Sequence, residues 1–219
     1  MFFRKARVEP LPITMSGIRT GERLLQIGLD EARLIGELAS KVGMSGTAAS
    51  IVTNERDAAR AKDAAAKAGV LMDVRVVTPL RNLPFEDASF DVIVMHSLNG
   101  LLASLAPYTR IRCLEESHRL LRAGGRMVVI EPEPRGGLGG LLRPYPMDAY
   151  SSSGGGAVGA LKAEGFKPVR ILADREGYRF TEGMKTAETT ATPDGTTDQD
   201  TTDHDTDHDT AGEHPAEEH

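Results

Sequence analysis

The chain has 219 residues, 40% of them apolar, which suffices for one domain with a substantial core and leaves little for a second. Its formal charge of −6 is unevenly spread: residues 185–219 hold 11 of the 32 acidic residues and one of the 26 basic ones, so residues 1–184 are mildly basic, 25 against 21. That surplus is far from the basic stripe of a dedicated nucleic-acid binder, and a single cysteine, Cys113, excludes an intrachain disulfide and a multi-cysteine zinc site.

The opening MFFRKARVEPLP contains no apolar run long enough for a signal peptide or a membrane span, so a soluble, cytoplasmic protein is expected. Phe2 and Phe3 read either as an arm, residues 1–20, packed on the domain or as a peripheral membrane contact. Residues 23–29 (RLLQIGL) have the length and composition of a strand. From 31 to 42, Leu34, Ile35, Leu38, Ala39 and Val42 recur at helical spacing. The alternation continues with a strand over 47–53, an alanine-rich helix over 55–68 that Gly69 ends, and a strand over 74–77. Such alternation predicts parallel strands joined by right-handed helical crossovers.

Residues 91–95 (DVIVM) are almost continuously apolar, as a central strand covered on both faces requires. A helix is expected over 108–122, with Ile111, Leu114, His118 and Leu121 on one side and Gly124-Gly125 as its stop, followed by a fifth strand over 126–130. Residues 133–156 are rich in Gly, Pro and Ser and read as an insert without regular structure, either a linker or a substrate lid carrying Tyr145 and Tyr150. A short helix over 157–165 and two strands, 167–173 and 177–181, complete the pattern. The remainder, 186–219, is rich in Thr, Asp, His and Glu and cannot bury enough surface to offset its chain entropy. Its His204 and His208, interleaved with aspartates, read either as a solvated tail or as a weak metal-binding tract, and no defined metal site is expected. A protein partner could engage this tail.

Two segments, LPFEDASFDVIV at 83–94 and EESHRLLRAGGRMVVIEP at 115–132, resemble the second half of a class I S-adenosylmethionine-dependent methyltransferase of the small-molecule, quinone C-methylating kind. The resemblance covers about 21–185. It implies an α/β, Rossmann-like sheet of seven strands, five parallel and a terminal antiparallel pair, with helices on both faces. It also implies S-adenosylmethionine as cofactor and a small-molecule methyl acceptor.

In that family the loop after the first strand is a GxGxG turn. Here the matching residues are Gly28-Leu29-Asp30-Glu31-Ala32, which keep only the first glycine. The resemblance assigns Gly28, Leu29 and Asp30 to the cofactor. Asp30 brings a carboxylate to the sulfonium position, where it can attract the charge or fill the space, and it also reads as the N-cap of the following helix. The family's acidic residue at the end of strand two falls at Val52. Asn54 or Glu55 can take over that contact to the ribose if the strand ends a residue or two later, and Asn54 also has the character of a helix N-cap. The aspartate expected near the adenine amine falls at Pro79, next to Leu80, which can pack on the base.

Methyl transfer needs alignment, and a general base when the nucleophile carries a proton. His96, directly after DVIVM, and Glu131, at the tip of the fifth strand, are the candidate bases. His118 and Cys113 read as packed side chains. The competing function is a non-catalytic member of the fold that has lost the cofactor and binds a partner. A short-chain dehydrogenase is disfavoured, because no Tyr-x-x-x-Lys pair and no complete dinucleotide fingerprint is present.

Overall fold

Strand residues that alternate between two apolar sets need cover on two faces, and the fold supplies both. The computed structural model describes residues 9–133 and 155–187. Its strands are β1 Arg23–Ile27, β2 Thr47–Val52, β3 Met72–Val76, β4 Phe90–His96, β5 Leu121–Pro132, β6 Val169–Arg175 and β7 Tyr178–Met184. They form one seven-stranded sheet in the order β3-β2-β1-β4-β5-β7-β6. The first five are parallel, while β7 runs antiparallel to both β5 and β6. This is the α/β architecture that the resemblance implies.

The helices are α1 Leu11–Ser16, α2 Ala32–Ser40, α3 Glu55–Lys67, α4 Leu101–Ser104, α5 Pro107–Leu120 and α6 Gly156–Ala163. On one face Leu24, Val92, Val94, Val128 and Ile130 pack with Ile13 of α1 and Leu34, Leu38 and Ala39 of α2. On the other, Leu25, Ile27, Ile93, Met95, Met127 and Val129 pack with Leu102, Cys113, Leu114, Leu120 and Leu161 from α4, α5 and α6. Gly36 lets α2 lie close to α3: a Cβ there would stand 2.5 Å from the Ala64 carbonyl oxygen.

Two expectations are corrected. The third strand begins at Met72, two residues before the expected start. Gly124 and Gly125 are not the stop of the long helix, which ends at Leu120 and passes directly into β5. They lie inside β5, where the pairing with β4 shifts register between Phe90 and Val92. Gly124 takes φ +74°, and a Cβ on Gly125 would stand 2.9 Å from the Arg122 carbonyl oxygen and 3.1 Å from that of Asp91. The short helices α1 and α4 were not apparent from periodicity, since neither is long enough to show it.

Asp91, at the start of β4, ties three segments together. Its carboxylate accepts from the Arg23 backbone N–H (2.7 Å), the Arg23 side chain (3.2 Å) and Arg122. Burial alone would raise its pKa, but the bonds from Arg122 and Arg23 outweigh burial and hold it at about 2. A depressed carboxylate stabilises the fold above its unfolded pKa of about 3.9 and loses that contribution as pH falls through 2. Acid titration of stability should therefore show a loss of about 2 kcal/mol from this group between about pH 5 and pH 2. Asp91→Asn should flatten that part of the curve. An unchanged acid limb in the variant, followed by denaturant midpoints, contradicts the assignment.

The LPF segment is held by α5. The Glu116 carboxylate, 6% exposed as a residue, accepts from the Leu83 N–H (2.9 Å) and from Arg119 (2.8 and 2.9 Å). Arg119 also donates to the Leu83 and Phe85 carbonyls, both at 3.1 Å, and pairs with Asp87. The two sequence segments that carry the family resemblance are thus the two sides of one clamp.

Candidate active site

In an open α/β sheet, ligands sit beyond the carboxyl ends of the strands where the connections diverge to either side. Here that point lies at β1, with β2 and β4 as its neighbours. A cleft of about 190 Å³ opens there, lined by Gly28, Leu29 and Asp30 after β1, Val52 and Thr53 after β2, Asp57 in the first turn of α3, and His96, Asn99, Leu101 and Ser104 after β4. Common ligand pockets enclose about 300–1,000 Å³. The described walls therefore enclose less than a typical ligand pocket.

Gly28 donates its N–H to the Ile51 carbonyl at 2.8 Å and turns with φ +82°. A Cβ there would stand 2.5 Å from Leu101 Cδ2 and 2.9 Å from the His96 carbonyl oxygen. The turn is thus packed closely against the segment after β4, which only glycine permits.

Asp30 is not the N-cap of α2. That position belongs to Glu31, whose side chain makes no capping bond. The Asp30 carboxylate instead reaches across the cleft, where one oxygen accepts from the Leu98 N–H at 2.6 Å and the other from the Asn99 N–H at 3.0 Å. Burial lifts its pKa above the ordinary carboxylate value, and the bonds from Leu98 and Asn99 offset only part of that. It neither fills the cleft nor leaves it: it forms a wall with a fixed position.

Asn54 is the N-cap of α3, accepting from the Asp57 N–H at 2.9 Å, and it is absent from the cleft lining. The carboxylate that does line the cleft on this side is Asp57, held by Asn54 Nδ2 (2.9 Å) and Arg60 (2.9 Å). The cap pattern Asn-x-x-Asp was visible in the sequence, but it marks only the helix start and gives no hint that the acid also faces a cavity. Leu80 is 1% exposed and belongs to the core cluster, not to the cleft. Glu131, near the end of β5 and in register with Arg179 of β7, is half-buried and is also absent from the lining.

His96 ends β4, and the residue is 1% exposed. Its Nε2 lies 3.0 Å from Gln26 Oε1, and Gln26 Nε2 donates to the Ile35 carbonyl at 2.9 Å. Because the amide nitrogen of Gln26 is committed to a carbonyl, its oxygen faces the ring, so His96 carries its proton on Nε2. Burial pushes its pKa down to about 4, so the ring is neutral at physiological pH. Nδ1 is buried and makes no hydrogen bond among the described residues. A neutral ring accepts a proton only weakly at such a pKa, which disfavours His96 as a general base.

Of the two side chains expected to pack, Cys113 lies in the core and His118 is only half-buried. His118 makes an edge-to-face contact with Phe166, with ring centres 5.0 Å apart, and its pKa is lowered by burial and by Lys185. Cys113 is fully buried, which pushes its thiol up to about 12. Tyr145, Tyr150 and the histidines of the tail lie outside the described residues. Among the described residues no group of three or more His, Cys, Asp or Glu is placed to hold a metal ion, and no helix is long and apolar enough to cross a membrane.

The methyltransferase domain family matches residues 25–129. No curated protein matches the chain in sequence. Among solved structures, a SAM-dependent methyltransferase from Aquifex aeolicus is 18% identical, with a TM-score of 0.61 over 80% of this chain and 88% of that one. A SAM-dependent methyltransferase from Methanosarcina mazei is 22% identical, with a TM-score of 0.60 over 83% of this chain and all of that one, 100%. The cyclase SpnF is 18% identical, with a TM-score of 0.59, covering 81% and 80%. The fold is that of the class I methyltransferases. The matched residues, 25–129, hold most of the first five strands and every residue that lines the cleft.

Proposed function

We propose that this protein is an S-adenosylmethionine-dependent methyltransferase acting on a small molecule. The observation that carries the reading is a cleft at the carboxyl ends of β1, β2 and β4, within the matched domain, walled by the Gly28 turn and two carboxylates. The residues present suit the cofactor. Asp30 offers negative charge for a sulfonium, and Thr53 and Asp57 offer acceptors for a ribose diol on the side where Val52 replaces the family's acid. When bound, the cofactor would supply a methyl carbon whose bond to sulfur breaks with its electron pair returning to sulfur as the acceptor's lone pair takes the carbon.

In this reading His96 is a neutral wall of the cleft, locked by Gln26, and Glu131 remains the candidate base on β5. The proposed setting is cytoplasmic, with a small acceptor of the kind handled by quinone-methylating relatives. Titration calorimetry of the full chain with S-adenosylmethionine and S-adenosylhomocysteine should give one site per chain. Transfer of labelled methyl to a panel of small quinols and phenols, with Glu131→Gln as the variant that slows it, extends the test. Absence of binding heat from chain shown to be folded overturns the reading.

A second reading is favoured by one specific feature: Asp30, Val52 and Pro79 all depart from the family's cofactor contacts. A protein of this fold that binds without transferring methyl, and engages a partner through residues 186–219, fits that feature. Absence of cofactor binding by folded protein would support it, and so would loss of a partner on removal of the tail.

A further inference from the structure

We infer that the cleft selects for positive charge, with Asp30 as the residue that discriminates the sulfonium cofactor from its neutral thioether product. The inference rests on the cofactor reading above and concerns this chain's own departure at the Gly28-Leu29-Asp30 turn. The titratable side chains that line the cleft are Asp30, Asp57 and His96, and no lysine or arginine is among the lining residues. His96 is neutral, so the walls formed by the described residues carry two carboxylates and no cationic side chain.

The two aspartates are not equivalent. Asp57 is paired with Arg60 at 2.9 Å, so part of its charge is answered by a cation. Asp30 accepts from the Leu98 and Asn99 backbone N–H groups, at 2.6 and 3.0 Å, and from the Asn99 side chain, all uncharged donors, and no lysine or arginine pairs with it among the described residues. Both its oxygens act as acceptors, which is the role of the ionised form. The two amides fix the direction of the carboxylate and leave its net charge in place. A half-buried carboxylate without a cation is unfavourable unless a positive ligand group completes it. A sulfonium or an ammonium does so, whereas a neutral thioether leaves it as it was.

Because an opposite charge within a few ångströms in a partly dry site has a large effect, the ratio of affinities for sulfonium over thioether should be about tenfold or more. Once the methyl group has left, that attraction disappears, so the same residue favours loading of the cofactor and release of the product.

The test is titration calorimetry of the full chain with three probes: S-adenosylmethionine, S-adenosylhomocysteine, and the analogue in which an amine-bearing carbon replaces the sulfonium. The wild-type chain should bind the two cationic probes about tenfold more tightly than the thioether. Asp30→Asn should bring the three affinities to within about twofold of one another, and Asp30→Glu should restore part of the gap. Equal affinities in the wild type, or a gap that survives Asp30→Asn, overturns the selectivity while leaving the cofactor reading intact. Failure of all three probes to bind folded protein overturns the cofactor reading itself. Should Asp30→Asn not fold, the wild-type chain still decides: an amine analogue that binds like the sulfonium supports the inference, and one that binds like the thioether refutes it.

Discussion

Glu116→Ala is expected to lower the stability of the domain by about 3–4 kcal/mol. Two losses combine. The Leu83 N–H, on a residue 1% exposed, loses its acceptor, and a buried donor left unpaired costs about 1–3 kcal/mol. Arg119 loses a partner that holds two of its nitrogens, and removing one side of a buried pair costs about 3–5 kcal/mol when the other charge is stranded. The second loss is the smaller here, because the Arg119 side chain is 30% exposed and retains Asp87 and the Leu83 and Phe85 carbonyls. For a domain of this size the melting temperature should fall by about 6–15 °C. Glu116→Gln keeps an acceptor for Leu83 and should lose less than half as much. Thermal melts and exchange of the Leu83 amide report the two losses separately. An alanine variant within about 1 kcal/mol of wild type contradicts the clamp.

That clamp explains why the resemblance was easiest to see at 83–94 and 115–132. Those segments encode packing and local charge, and both leave marks in a single sequence: an apolar run for β4, helical spacing for α5, and acid and base three residues apart at Glu116 and Arg119. The sheet was legible for the same reason, since burial on two faces demands near-continuous apolar strands. The cleft was much less legible, because its contacts are long-range. Asp30 before an amphipathic helix has the local character of an N-cap, and nothing nearby announces acceptors' partners at Leu98 and Asn99, 68 and 69 residues later. Asp57 was hidden in the opposite way, since its service to Asn54 accounted for it locally.

Gln26 is informative in the sequence by itself. A lone amide inside the apolar run RLLQIGL must find partners once buried, and both of its ends do, one on Ile35 and the other on His96. His96 was expected at the strand tip and is there. Its protonation, however, is decided by a side chain on the adjacent strand, in register beside Val94, and no spacing rule connects positions 26 and 96. The Gly124-Gly125 pair shows a related limit. Glycine after a helix commonly marks its end, yet here α5 ends earlier and Gly125, within β5, serves a close approach to the Arg122 carbonyl and to that of Asp91 in β4.

Gly28→Ala is expected both to destabilise the domain by about 2–4 kcal/mol and to abolish ligand binding in whatever fraction stays folded. The backbone at φ +82° lies in the left-handed region, which costs a residue with a side chain about 1–2 kcal/mol. The new Cβ meets two neighbours of different compliance. Leu101 Cδ2, at 2.5 Å, is the end of a side chain and can rotate away, but the His96 carbonyl oxygen, at 2.9 Å, is backbone near the end of a central strand and cannot. Since Leu101 and His96 both line the cleft, relief of the clash moves its wall, so stability and binding fall together. Gly36→Ala is the matched control. It forces a Cβ to within 2.5 Å of the Ala64 carbonyl oxygen between α2 and α3, which is a comparable disruption away from the cleft lining. Urea titration should show both variants destabilised, while calorimetry below their melting temperatures should show binding lost in Gly28→Ala and retained in Gly36→Ala. Retention of full affinity by Gly28→Ala means that the ligand does not approach the turn after β1, and the site must then be sought elsewhere on the carboxyl edge of the sheet.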